Sequence, residues 1–425
     1  MASWISDLTT LHDLSERLPR TRTVDDALRE TLRAGASLAG ARRGLIALRP
    51  ADGGAHDRLV GLGLGPADLG DIETVPRSSA SHSRLMDAVA GACPAEIACG
   101  DIPADHELDP RHREVAARLG FGASYAQPLT DADGVRLGAA VWFYDEPAHP
   151  DERQRHLLGL YLRQATQHIG NRIELDRARD TARELHLGLL GRRLPRVPGA
   201  SLAVRHQGAA GGGGVFFDAL RLPDDALGLA VGTVTGSGPS TTAAMGRLLA
   251  GLRAYAVMEG EDPVAVLSDL ELLLRVTESA RCATALFGYA EPASRRVVLA
   301  SAGHPPPLVI GERGAEFAET TLSAPLAMLS CWEAPSVELT LAPGETLLLY
   351  NEGLLHATGE PLDRAFTRLR EVAAQAPADV RRDPGTLADH LLRSLLPGTV
   401  PGVPGVPGAP GAERETVLLA ARFDG

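Results

Sequence analysis

Two glycine-dense stretches hold the residue types whose spacing could do chemistry: Gly211-Gly212-Gly213-Gly214-Val215-Phe216-Phe217-Asp218 and Val231-Gly232-Thr233-Val234-Thr235-Gly236-Ser237-Gly238. Glycines at that density permit tight turns and close approach of the backbone to another group. Acids at Asp218, Asp224, Asp225, Glu352 and Glu415 in the same half of the chain raise metal-assisted hydrolysis of a phosphoester as the chemistry to test. Two divalent cations about 4 Å apart need several acidic oxygens to offset their mutual repulsion, after which a bound water can attack phosphorus.

Other chemical signals are weaker. Gly211 to Gly214 lacks the Lys-Ser/Thr ending of a phosphate-cradling loop, and no helix starts directly after it. Ser237 lies in Gly-Ser-Gly without the strand–elbow–helix pattern of a nucleophilic serine and reads as a turn residue. His304, between Gly303 and Pro305, invites a catalytic role, yet a histidine in that setting reads as a hydrogen-bonding turn residue. Cys93, Cys99, Cys282 and Cys331 show no CxxC spacing and are too few for a disulfide scaffold. Cys93 and Cys99 read as two thiols rather than a redox pair.

A chain of 425 residues exceeds one typical core, and two globular domains are expected. Apolar residues at 44% and charged residues at 23% exclude wholesale disorder. The net charge of -12, with no dense basic stripe, argues against nucleic acid or an anionic membrane as the main partner. Every basic side chain other than histidine is arginine, which points to a GC-rich genome rather than a designed binding surface. The start, Met1 to Asp7, lacks a basic segment followed by an apolar one, and no run of about 18 apolar residues occurs, so a cytoplasmic location is expected.

The elements that must position these residues follow from periodicity. Thr23 is placed to cap a helix of about five turns, with Asp25 and Asp26 in its first turn. A strand follows at Arg43–Leu48, and Ser124–Leu129 and Gly138–Tyr144 flank Asp131-Ala132-Asp133-Gly134 as a hairpin. Helix resumes at Asp151. Leu175, Ala178, Ala182, Leu185 and Leu189 recur at three- and four-residue steps, either the seam of a short coiled coil or a stripe packed on its own domain. Pro195 and Pro198 stop that helix. Beyond them strands are expected at 228–232, 283–289, 296–301 and 346–350, and helices at about 240–257, 264–274 and 363–374. A Pro-Gly loop at 398–412 precedes a last strand at Thr416–Ala421. The fold class is α+β.

Residues 1–170, with helix, strand, a variable middle, hairpin and exit helix, together with Leu119-Gly120-Phe121-Gly122 and Pro128-Leu129, resemble a GAF sensor domain. That resemblance implies either a small ligand or dimerisation alone. A helical linker spans 171–193.

Residues 194–425 carry, in order, Leu194-Pro195-Arg196-Val197-Pro198-Gly199, Gly213-Gly214-x-Phe216-Phe217-Asp218, the Val231–Gly238 motif, Ala283-Thr284-Ala285, Ala302-Gly303-His304-Pro305-Pro306 and Tyr350-x-x-Gly353-Leu354. This set resembles a SpoIIE-type member of the metal-dependent PPM serine/threonine phosphatases. The resemblance implies a PPM-type α/β-sandwich, two Mn or Mg ions held by aspartates, and a phosphoserine or phosphothreonine protein substrate. Its four metal positions fall here on Val215, Thr233, Glu352 and Arg414, with Glu415 beside the last. Val offers no lone pair, Thr only a neutral hydroxyl, and Arg stays cationic; Glu352 alone keeps the charge.

The leading expectation is therefore a pseudophosphatase with no cofactor, which binds an anti-sigma or anti-anti-sigma factor in partner switching and pairs as a homodimer. The competing one is an active Mn- or Mg-dependent phosphatase rebuilt from Asp218, Glu352 and Glu415, with Asp224 or Asp225. A third is a purely structural dimer.

Overall fold

Thr23 starts the helix expected of it, its hydroxyl accepting from the Asp26 amide at 3.1 Å, and Gly40 ends it in a left-handed conformation at φ 70°. The computed structural model describes residues 2–49, 57–88, 94–131, 134–191, 193–208, 213–278, 281–320, 323–329, 335–396 and 415–424. They form two units, Met1–Arg177 and Ala178–Gly425.

The first unit runs α1 (Ala2–Ser15), α2 (Val24–Ala39), β1 (Arg43–Leu48), β2 (Arg58–Leu62), α3 (Pro66–Glu73), α4 (Ser81–Asp87), β3 (Ile97–Cys99), α5 (Pro110–Leu119), β4 (Ala123–Thr130), β5 (Arg136–Tyr144) and α6 (Glu152–Leu189). The unit boundary falls inside α6. The strands form one antiparallel sheet in the order β2-β1-β5-β4-β3. Leu28 and Leu32 of α2 pack with Trp142 and Ile46 on one face, and Val75, Leu85 and Phe121 pack on the other. Trp142 donates its indole N–H to the Leu32 carbonyl at 3.2 Å, and the Tyr144 hydroxyl donates to the Ala39 carbonyl at 2.9 Å. A cavity of about 30 Å³ lies among Ile72, His82, His112 and Phe143, room for about one water.

The second unit continues with β6 (Ala200–Gln207), β7 (Val215–Arg221), β8 (Leu227–Val234), α7 (Pro239–Glu259), α8 (Pro263–Thr277), β9 (Ala283–Glu291), β10 (Arg296–Ala302), β11 (Leu308–Gly311), β12 (Gly314–Phe317) and β13 (Val337–Thr340). It closes with β14 (Thr346–Tyr350), α9 (Glu352–Ala357), α10 (Leu362–Ala374), α11 (Ala378–Arg381), α12 (Pro384–Leu395) and β15 (Thr416–Phe423). Two five-stranded sheets result, β13-β10-β9-β8-β7 and β12-β11-β14-β15-β6.

Strand parity shows how they stack. In β15, Val417, Leu419, Ala421 and Phe423 join the large core with the first sheet and helices α7 and α8, while Leu418 and Ala420 face α10 and α12. The strand expectations at 228–232, 283–289, 296–301, 346–350 and 416–421 all fall within observed strands, as do the three helices within α7, α8 and α10. A helix–sheet–sheet–helix sandwich is the consequence. No helix among the described residues is long and apolar enough to cross a membrane.

Gly35 marks the tightest approach in the first unit: a Cβ there would lie 2.2 Å from Cζ2 of the buried Trp142. Gly35→Ala gains helix propensity of about 1 kcal/mol, but the anchored indole cannot retreat, so overpacking of about 1–3 kcal/mol dominates. A lowered urea midpoint for the variant, followed by tryptophan fluorescence of the full chain, is the expected result.

Candidate functional site

Gly213, Gly214 and the Gly236–Gly238 turn sit where the two sheets of the second unit meet at one end. β7 is an edge strand, and its register sets Val215 directly opposite Thr233 of β8. The first two metal positions of the resemblance are thus cross-strand neighbours. Val215 is buried at 3% exposure and Thr233 is half-buried.

The space beside them is taken by Glu415. The parity that sends Val417 and Leu419 between the sheets sends Glu415 there too. Its Oε2 accepts from the Val215 amide at 3.0 Å. Close approach explains the glycines: a Cβ at Gly213 would lie 2.0 Å from Glu415 Oε2, and one at Gly353 would lie 2.1 Å from the Glu415 carbonyl oxygen. Asn351, buried at the start of α9, clamps the same segment, donating to the Glu415 carbonyl at 2.9 Å and accepting from the Val417 amide at 3.0 Å.

The remaining acids point elsewhere. Glu352 is exposed and contacts His356 Nε2 at 3.0 Å, one turn along α9. Asp218 is buried and accepts from Arg253 Nε at 2.6 Å and the Ala219 amide at 3.0 Å. Asp225 pairs with Arg221 on the surface, and Asp224 stands beside it with φ 55°. Asp218, Glu352 and Glu415 therefore serve three separate partners. Arg414, Cys93, Cys331, Gly211, Gly212 and the Pro-Gly loop lie outside the described residues.

A cation also occupies the turn that follows Thr233. Arg281 donates to the Thr235 carbonyl at 3.1 Å, to the Thr241 hydroxyl at 2.9 Å and to the Ser240 hydroxyl at 3.0 Å. Glu278 lies 3.5 Å from its Nε. A guanidinium that cannot lose its proton, set against this turn, opposes a divalent cation electrostatically. The donor set present does not fit a pair of Mn or Mg ions at the four positions: one is aliphatic, one is a neutral hydroxyl, and one is turned outward.

His304 is buried, with Nδ1 3.0 Å from the Pro305 carbonyl, and Ser301 donates to the carbonyl of His304 itself at 3.2 Å. This is the turn arrangement expected from Gly303, which has φ 60°. Burial pushes the imidazole pKa down to about 4. Ser237 belongs to the turn into α7, its carbonyl accepting from Thr241. Cys99 and Cys282 are free thiols.

Among the described residues, the ligand atoms of His186, His206 and Glu415 lie within 4.8 Å of one another. The sequence reading missed both histidines. His186 sits on α6 without a motif, and His206 meets Glu415 only through pairing of β6 with β15.

Residues 223–403 match the family described as Stage II sporulation protein E (SpoIIE). That part of the second unit is similar to the SpoIIE family. The match begins after Val215 and ends before Arg414, and it includes Thr233 and Glu352. Among solved structures, the RsbU and RsbW domains of a Mycobacterium tuberculosis protein are similar at 30% identity over 54% of this chain and 63% of that one, with a TM-score of 0.47. The PP2C phosphatase domain and regulatory fragment of Bacillus subtilis SpoIIE match at 16% identity over 53% and 64%, TM-score 0.43. The SiaA-PP2C domain of Pseudomonas aeruginosa matches at 18% over 60% and 97%, TM-score 0.42. This chain thus spans less than two thirds of the first two.

The His304 environment fixes a sign. Its pKa is about 4 folded against about 6.5 for an unfolded chain, so below pH 6.5 the unfolded state takes up a proton that the folded chain refuses. This contribution to stability is complete above pH 6.5 and is lost as pH falls towards 4. The urea midpoint is expected to drop between pH 7 and pH 5, and to drop less in His304→Gln.

Proposed function

We propose that this chain is a signalling regulator whose SpoIIE-type domain acts by binding a protein partner, not by hydrolysing a phosphoester. The observation that carries the reading is the Val215–Thr233 pair. Two positions that would supply acids to a shared pair of cations face each other across β7 and β8 and neither carries a carboxylate, while the one acid beside them, Glu415, is engaged by the Val215 amide. Arg281 against the adjoining turn adds to the deficit. The partner class that the SpoIIE resemblance implies is an anti-sigma or anti-anti-sigma factor, and residues 1–170 act in this reading as a GAF-like sensor. Cytoplasmic placement belongs to the same reading.

Pairing of two copies along α6 is part of the proposal. Of the five stripe residues, Ala182 is buried, whereas Leu175 and Leu185 stand 41% and 63% exposed, with Leu189 at 37% and Ala178 also exposed. Leucines left on one helix face are the material of a coiled-coil seam. Leu185→Asp is expected to convert a dimer to a monomer in light scattering behind size exclusion; a monomeric parent would remove this part of the proposal.

Hydrolysis is tested directly. Purified protein with Mn is expected to release no phosphate from a phosphoserine protein above the no-enzyme background. A metal-dependent rate that disappears in Glu352→Ala would establish the active phosphatase instead.

A further inference from the structure

We propose that His186, His206 and Glu415 form a binding site for one zinc-class divalent ion, distinct from the two-metal positions of the SpoIIE-type fold. It is independent of the proposed function, since it uses neither Val215, Thr233 nor Glu352.

The backbone brings the three residues together. His206 of β6 pairs with Val417 of β15, so Glu415, two residues before Val417, is its diagonal neighbour on the same face of the sheet. His186 comes from the last turn of α6, its ring parallel to that of His206 within 2° and 5.5 Å away between centroids. His186 and Glu415 are 2% and 8% exposed.

Each residue presents a polar atom with no protein partner: His186 Nε2, His206 Nε2 and Glu415 Oε1 are all buried and make no hydrogen bond. The other contacts of these groups determine what that means. His186 Nδ1 lies 3.2 Å from the Gly213 carbonyl and 3.4 Å from the Gly213 amide. In the tautomer that donates Nδ1–H to this carbonyl, the shorter of the two contacts, Nε2 is left as a bare lone pair. The Thr242 hydroxyl donates to the same Gly213 carbonyl at 3.1 Å and fixes it in place. Glu415 Oε2 is engaged by the Val215 amide, so Oε1 is the oxygen left over.

His186 Nε2 and Glu415 Oε1 are then two acceptors facing each other at 3.6 Å, too long for a hydrogen bond. His206 Nε2 completes the group within 4.8 Å. With both imidazoles carrying their proton on Nδ1, the three atoms are all acceptors: a single water has only two protons to offer them, whereas one cation satisfies all three. Tetrahedral zinc with bonds of about 2.0–2.2 Å places its ligand atoms about 3.4 Å apart, close to the observed His186–Glu415 spacing. Two imidazoles and one carboxylate are a zinc-type donor set with one position left for water, and they are too few and too nitrogen-rich for Mg. Bound there, the ion would join the end of α6 to β6 and β15.

The experiment uses the untagged full chain, stripped with chelator and titrated with zinc chloride by calorimetry. One ion per chain is expected, with affinity reduced at least about 10-fold in both His206→Phe and Glu415→Gln. Gln retains an acceptor for the Val215 amide, and Phe preserves ring volume, so both variants are expected to match the parent's melting temperature without metal. Cobalt loading is expected to give the visible absorption of a tetrahedral site in the parent only. Absence of zinc binding, or binding unchanged in both variants, would overturn the site. Because the readout is ion binding and not phosphate release, its failure leaves the protein-binding reading standing.

Discussion

The second unit depends on one buried carboxylate bridging two sheets. Glu415 leaves the start of β15 and reaches the amide of Val215, an edge-strand donor that would otherwise be buried without an acceptor. A buried N–H left unpaired costs about 1–3 kcal/mol, so the contact removes the penalty of the amide and gives one of the two carboxylate oxygens a donor. Gly213 and Gly353 follow from this bridge, because a side chain at either would collide with Glu415. Asn351 secures the same residue through its backbone.

That bridge changes what the retained glycines signify. In a phosphate-handling centre, glycines allow backbone to approach a ligand; here two of them allow it to approach a glutamate. The end of the sandwich is held by direct polar contacts between its own strands, with Arg281 performing the same service for the turn after β8. Hydrogen bonds from side chains of this chain close the sheets at this end.

Local signals in the sequence located elements well. The Thr23 cap, the β4–β5 hairpin and the helices α7, α8 and α10 are set by capping, turn chemistry and apolar period, each readable within a few residues. Short strands such as β11 to β13, four residues each, carry too few alternations to stand out. The candidate site was legible only in its glycines. The contact that organises it joins residues 200 apart, and no local pattern announces that a lone glutamate before a strand will meet an edge amide. The same holds for His186, whose value depends on which face of α6 turns inward.

That face is itself a matter of competing patterns. α6 carries one apolar series through Leu175, Leu185 and Leu189, and a second through Ala182, His186 and Leu190 at four-residue steps just before the chain turns. The structure buries the second: Ala182 at 6%, His186 at 2% and Leu190 at 5%. Hydrophobicity alone would favour the leucines. What tips the choice is that His186 finds the Gly213 carbonyl, while Arg253 donates to the Leu189 carbonyl at 3.3 Å and binds Asp218 with its Nε. Polar contacts specify the rotation of the helix end and leave the leucines outside. Asp218 is thereby explained without a metal: it holds the arginine that holds the last turn of α6.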